Sequence, residues 1–173
     1  MENELENLAI KYGADKSSII HGYTEPYNKL FKPIKKSVKK LLEVGVLRGN
    51  SLRMWRDYFP SATIYGLDNI KSYLKDDERI KCFYADQKNS LSLADGMKNI
   101  NGKLDIIIDD GSHILSDQII TLKTLIHYLK DGGYYVIEDI VRIKPFLEVC
   151  PYKNIKIEVL DEGRGSVLAI LKK

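Results

Sequence analysis

Along this chain, short unbroken apolar runs alternate with stretches whose apolar residues recur every three or four positions. Residues 41–46, LLEVGV, form the first run and predict a strand. Gly49 follows, and the spacing of Leu52, Met54, Trp55, Tyr58 and Phe59 predicts a helix that Pro60 stops. TIYGL at 63–67, IKCFYA at 80–85 and the isoleucine-rich run at 104–108 predict three more strands, the last buried on both faces. A weak helix is expected around 91–98, and residues 116–130 carry Ile119, Ile120, Leu122, Leu125, Ile126 and Leu129 at helical spacing, with Asp131-Gly132-Gly133 as the stop. Residues 134–137 read as a fifth strand and 144–149 as a short helix. The closing segments 155–160 and 166–171, joined by DEGRG, read as an antiparallel hairpin. This rhythm predicts an α/β fold: a mostly parallel sheet with helices on both faces.

Bulk properties narrow the field without naming a function. The 173 residues suit one domain over 1–173 that buries a core without disulfides, alone or as a homo-oligomer. Charge is nearly balanced, 27 basic against 24 acidic residues, which gives no strong pull toward polyanions. The tightest basic cluster, Lys32, Lys35, Lys36, Lys39 and Lys40, is spaced for the solvated face of an amphipathic helix; nucleic-acid or membrane contact is the alternative. Neither partner is expected. Cys82 and Cys150 show no zinc or disulfide pattern and read as reduced core thiols, which suits the cytoplasm. No run is long enough to span a membrane, and MENELEN is no signal peptide.

The acids change the picture. Glu43 lies within the first strand, and Asp68, Asp86, Asp109 with Asp110, and Glu138 with Asp139 end the next four. Ligands of open parallel sheets bind outside the carboxyl ends of the strands. Each acid alone is also a helix N-cap candidate, but seven carboxylates on one rim repel one another unless cations or hydrogen-bond donors sit among them. The first turn reads Glu43-Val-Gly45-Val-Leu-Arg-Gly49, an E-x-G-x-x-x-G form whose glycines permit tight turning and close approach to a ligand. The dinucleotide pattern G-x-G-x-x-G is absent. An acid in that first strand suits a ligand with an ammonium group, Asp68 suits ribose hydroxyls, and Asp86 with Gln87 suits an adenine edge. Together these describe S-adenosylmethionine (SAM).

IDDGSH at 108–113, IED at 137–139 and YGADKSSIIHGYTEPYNKLF at 12–31 resemble the macrocin and mycinamicin sugar O-methyltransferases, a branch of the class I SAM-dependent methyltransferases. The resemblance implies a Rossmann-like class I fold whose seven-stranded sheet ends in an antiparallel hairpin, and a Mg²⁺-dependent transfer of methyl from SAM to a sugar hydroxyl. It implies Asp110, Glu138 and Asp139 as metal ligands and His113 as general base. Segment 1–35 would form a lid, with Lys16 and His21 as cofactor contacts; packing against the sheet edge is the other reading of this segment. Asp109 is placed with the cofactor contacts or the outer shell of the metal. Oxygen ligands suit Mg²⁺, and an imidazole three residues after Asp110 suits proton transfer near neutral pH. Neither cysteine lies near these motifs, so no thiol nucleophile is expected. From the fifth strand IVRIKPFLEVCPYKN leads directly to the hairpin, without the extra segments of the macrolide enzymes, so a glycan or nucleotide sugar fits as acceptor as well as a glycosylated small molecule. A catechol-type O-methyltransferase and a non-catalytic SAM-binding module are the competing readings.

Overall fold

The computed structural model describes residues 3–73, 75–152, 156–159 and 169–172. Two helices precede the sheet: α1, Glu4–Tyr12, and α2, Thr24–Phe31. Then come β1 (Lys40–Val44), α3 (Asn50–Tyr58), β2 (Thr63–Asp68), β3 (Ile80–Tyr84), α4 (Ser90–Met97), β4 (Leu104–Asp109), α5 (Leu115–Leu125), β5 (Leu129–Ile137) and α6 (Ile143–Val149). Strands β6 (Lys156–Val159) and β7 (Ala169–Lys172) complete the described chain. The DEGRG turn predicted at 161–165 lies outside the described residues.

The strands lie in the order β3-β2-β1-β4-β5-β7-β6. The first five of these run parallel, and β7 and β6 continue the sheet antiparallel from the β5 edge. After β1 the chain builds outward to β2 and β3, then returns to place β4 on the other side of β1. That reversal opens a crevice at the carboxyl ends of β1 and β4, the place where such sheets bind ligands. Register fixes who meets there: Val44 stands beside Asp109, and Asp109 beside Ile137. The ladder runs on past the strand ends, with Asp110 N–H donating to the Val44 carbonyl and Glu138 N–H to that of Asp109, both at 2.9 Å.

Every residue of β4 is buried, as its isoleucines predict, because helices cover both faces. On one face Ile106 and Ile108 pack with Tyr27 and Phe31 from α2 and Trp55 and Phe59 from α3 and its end. On the other, Ile107 packs with Leu93, Met97, Leu122 and Phe146 from α4, α5 and α6. Each fully buried side chain of this size contributes about 1.5–3 kcal/mol of transfer free energy. The two layers therefore hold the strand ends in fixed positions.

Two predicted elements differ. The helix expected to 130 stops at Leu125, turns through a 3₁₀ segment at Ile126–Tyr128, and Asp131-Gly132-Gly133 lies inside β5 instead of capping a helix. The pairing register shifts between Leu104 and Ile106, and Gly132 at φ 77° takes the kink. The lysine cluster forms no helical face. Pro33 limits the segment after α2 to the 3₁₀ turn Lys32–Ile34, and Lys40 already belongs to β1.

Candidate active site

A cleft of about 550 Å³ opens over the carboxyl ends of β1, β2 and β3 and the loop after β4. Gly45, Asp68, Asp86, Gln87, Asp110 and His113, all expected at a ligand, line it. Glu43, Gly49, Lys16, His21, Asp109, Glu138 and Asp139 lie outside that lining.

The loops are braced by the same residues. Asp68 accepts from Val46 N–H at 2.8 Å and Leu47 N–H at 3.2 Å through one oxygen, and from Ile70 N–H at 2.8 Å through the other. It thereby shapes the β1 turn at the wall of the cleft. Gly45 has φ 94°, and a Cβ there would stand 2.0 Å from the Asp110 carbonyl oxygen. The crossing of the β1 and β4 loops thus requires a glycine here, at the wall of the cleft. Gln87 is likewise engaged within the protein: its amide nitrogen donates to Asp109 at 2.5 Å, and its oxygen accepts from Ser112 N–H at 2.7 Å. Asp86 accepts from Lys88 N–H at 3.0 Å.

Asp109 and Asp110 part company. Asp109 is 1% exposed, outside the cleft lining where a cofactor contact belongs. Burial pushes its carboxyl up to about 8, against the Gln87 amide that favours the ionised form. Asp110, one residue on, reaches the cleft edge and belongs to two groups of mutually close donors.

The inner group is Glu43, Asp110 and Glu138. Lys16, fully buried, sits among them with Nζ 2.6 Å from Asp110 Oδ2, 3.0 Å from Glu138 Oε2 and 3.2 Å from Glu43 Oε1. Glu43 also accepts from Ser51 Oγ at 2.6 Å and Trp55 Nε1 at 3.4 Å, and Glu138 from the Tyr27 hydroxyl at 2.5 Å. Burial raises all three carboxyls, Glu138 most; Lys16 pulls each down. For Lys16 burial works the other way, yet the surrounding carboxylates outweigh it and hold the ammonium charged. Glu43 does meet an ammonium, as expected, but the protein supplies it. Lys16, expected at the cofactor, is drawn beneath the cleft by that charge.

The outer group is Asp110, His113 and Asp139. His113 Nδ1 is 3.8 Å from Asp139 Oδ2, and Tyr23 hydroxyl donates to Asp139 Oδ1 at 2.8 Å. His21, expected at the cofactor, stacks on Tyr23 with ring centroids 5.4 Å apart and so supports this group from behind. Among the described residues, three that are not glycine have positive φ: Leu47 at 47°, His113 at 57° and Asp139 at 53°. Such backbone costs about 1–3 kcal/mol each and concentrates where function fixes a side chain. Ser112 holds the His113 turn, its hydroxyl donating to Asp117 at 2.7 Å.

The motif residues did not reveal the roles of Tyr27, Ser51 and Trp55. Lys16 pairs with acids 94 and 122 positions away, and no local pattern encodes contacts of that range.

The sheet order, the crevice at the switch point and the acid rim define a class I, Rossmann-like methyltransferase architecture. Comparison with known proteins sharpens this. The chain is 37% identical over 143 residues to an 8-demethyl-8-alpha-L-rhamnosyl tetracenomycin-C 2'-O-methyltransferase of Streptomyces olivaceus, covering 79% of this chain and 37% of that protein. It is 35% identical over 143 residues to a mycinamicin VI 2''-O-methyltransferase of Micromonospora griseorubida, covering 79% and 36%. Among solved structures, the MycE methyltransferase from the mycinamycin biosynthetic pathway, in complex with Mg, SAH and mycinamycin VI, matches with TM-score 0.82 at 27% identity, over 98% of this chain and 54% of that one. No protein-family model matches. The chain resembles these sugar O-methyltransferases, and it spans a little over a third of the length of the two curated relatives named.

Proposed function

We propose that the chain is a SAM-dependent, Mg²⁺-dependent O-methyltransferase that acts on a sugar hydroxyl of a glycosylated small molecule, a glycan or a nucleotide sugar, in the cytoplasm. The observation that carries this reading is the meeting of the 550 Å³ cleft with the Asp110–His113–Asp139 group at its edge. The Asp110 and Asp139 carboxylates, with ligand atoms within 4.8 Å of one another and of the imidazole of His113, fit a hard divalent cation held by oxygen with a base beside it.

SAM would lie in the cleft, its ribose at Asp68 and its adenine at Asp86. Asp110, Glu138 and Asp139 would hold Mg²⁺, which when bound supplies positive charge that eases loss of the acceptor hydroxyl proton. His113 takes that proton. With Nδ1 turned to Asp139, Nε2 is the nitrogen left to receive it, and Asp139 stabilises the imidazolium that forms. The acceptor oxygen then bonds to the methyl carbon as the carbon–sulfur bond breaks, and the electron pair leaves with sulfur. Most of the rate enhancement comes from alignment, so the strained turns at His113 and Asp139 place the base before the acceptor arrives. Segment 1–35 supports the site as well as shaping it: Lys16, Tyr23 and Tyr27 reach the acids directly.

The test is S-adenosylhomocysteine release by the purified chain with SAM, Mg²⁺ and panels of glycosides, nucleotide sugars and catechols. Turnover on sugars that stops on chelation supports the reading. Turnover on catechols alone, or chelator-resistant turnover, overturns it.

A further inference from the structure

Asp110 has an inner and an outer side, and the two are unequal. On the inner side, Glu43, Asp110 and Glu138 are close enough to share a metal, yet Lys16 Nζ already lies within 3.2 Å of an oxygen of each. An ammonium has three N–H donors and here finds three carboxylate oxygens, so its bonding capacity is filled.

We propose that Lys16 is a positioning residue, the resident cation of the inner seat, which confines the centre to one divalent ion on the Asp139 side of Asp110. This rests on the metal-dependent reading above. Lys16 is held from behind as well: its carbonyl accepts from Thr24 N–H at 3.1 Å, and the flanking turn is closed by His21 N–H to the Asp15 carbonyl at 3.0 Å and Gly22 N–H to that of Ser17 at 2.8 Å. The backbone on both sides of the lysine is therefore tied down, and its side chain is wholly buried. Displacing its ammonium would strand a buried charge, since its side chain has no exposed surface.

The same contacts aim the acids. Lys16 takes Asp110 Oδ2 and leaves the second oxygen for the outer side. Glu138 gives one oxygen to Lys16 and the other to Tyr27, so it reaches a metal only through the lone pairs they leave. Lys16 Nζ meets Glu43, Asp110 and Glu138 within 3.2 Å and Asp15 at 4.0 Å, more acids than one ammonium offsets, and the neighbouring Asp139 adds another on the open side. That surplus draws a dication to the outer seat, where Asp110, His113 and Asp139 face one another.

Binding of Mn²⁺, counted by the electron paramagnetic resonance of the free ion in the presence of S-adenosylhomocysteine, tests the assignment. The wild-type chain and Lys16→Arg should bind one ion per chain and Lys16→Met two. One ion in Lys16→Met at wild-type affinity overturns it and leaves the metal reading standing. No ion in the wild-type chain overturns both. Should Lys16→Met fail to fold, amine acylation of the wild-type chain read by mass spectrometry decides: Lys16 should stay protected with and without Mg²⁺. Labelling that appears only with Mg²⁺ would show the ammonium to be a displaced placeholder, contrary to the proposal.

Discussion

The acids at the strand ends divide into two regions that share one residue. Beneath the cleft, Glu43, Glu138 and the inner side of Asp110 are buried, ion-paired to Lys16 and supplied with donors by Ser51, Trp55 and Tyr27. At the cleft edge, His113 is 40% exposed and Asp139 18%, on backbone held at positive φ. The inner region is closed around an ammonium; the outer one, where Asp139 meets Tyr23 and His113, borders the cleft. Like residue types at like positions thus do opposite work, and burial decides which. Changes at the edge should cost rate with little stability, and changes beneath it should cost stability first.

The largest expected effect is His113→Ala, which should lower methyl transfer about 10²–10⁴-fold while urea unfolding stays within about 1 kcal/mol of wild type. Equal losses of rate and stability would erase the distinction between the regions. Lys16→Ala, in contrast, should cost about 3–5 kcal/mol in urea unfolding, because it leaves buried carboxylates without their ammonium. Gly45→Ala tests the seam between them. A Cβ 2.0 Å from the Asp110 carbonyl, at φ 94°, should cost about 3 kcal/mol and shift Asp110, so stability and rate fall together. Tyr27→Phe removes one donor from Glu138 and should cost about 1.5–3 kcal/mol.

The smallest effect is expected at a partly exposed ionic cluster outside the cleft lining, where Asp57 meets Lys11, Tyr12 and Arg56. Partial burial opposes ionisation there, but hydrogen bonds from Tyr12, Arg56 and Lys11 outweigh it and hold the carboxyl at about 2. Because the folded value lies below the unfolded one of about 3.9, the contribution is fully present above that pH and is lost as pH falls through about 2. Asp57→Asn should therefore cost less than about 1 kcal/mol at neutral pH, and its difference from wild type should vanish near pH 2. A loss as large as that of Lys16→Ala would mean that burial is not what separates strong ion groups from weak ones.

Much of the architecture was legible because it is written in local patterns. The isoleucines of β4 mark a strand covered on both faces, and the acids that follow the strands mark their carboxyl ends. What period cannot show is where a side chain turns once the strand has ended. Asp109 and Asp110 look equivalent in sequence, yet one carboxyl faces the core and the next reaches the cleft. Gln87 reads as a ligand contact and proves to bridge two loops, because only the folded sheet brings Asp109 and Ser112 to its two ends. Asp131-Gly132-Gly133 reads as a helix stop, but tertiary pairing with β4 draws it into a kinked strand. Lys16 stands out in sequence only through the resemblance of segment 12–31, and its acid partners are not encoded locally, since they come from three strands whose ends meet only after the sheet has formed.

The most direct measurement is the anomalous scattering of Mn²⁺ in crystals grown with S-adenosylhomocysteine. The account predicts the nucleoside in the cleft at Asp68 and Asp86, and one manganese peak on the Asp139 side of Asp110 with Lys16 still among Glu43, Asp110 and Glu138. A peak in the place of Lys16, or a cleft that binds neither molecule, would contradict it.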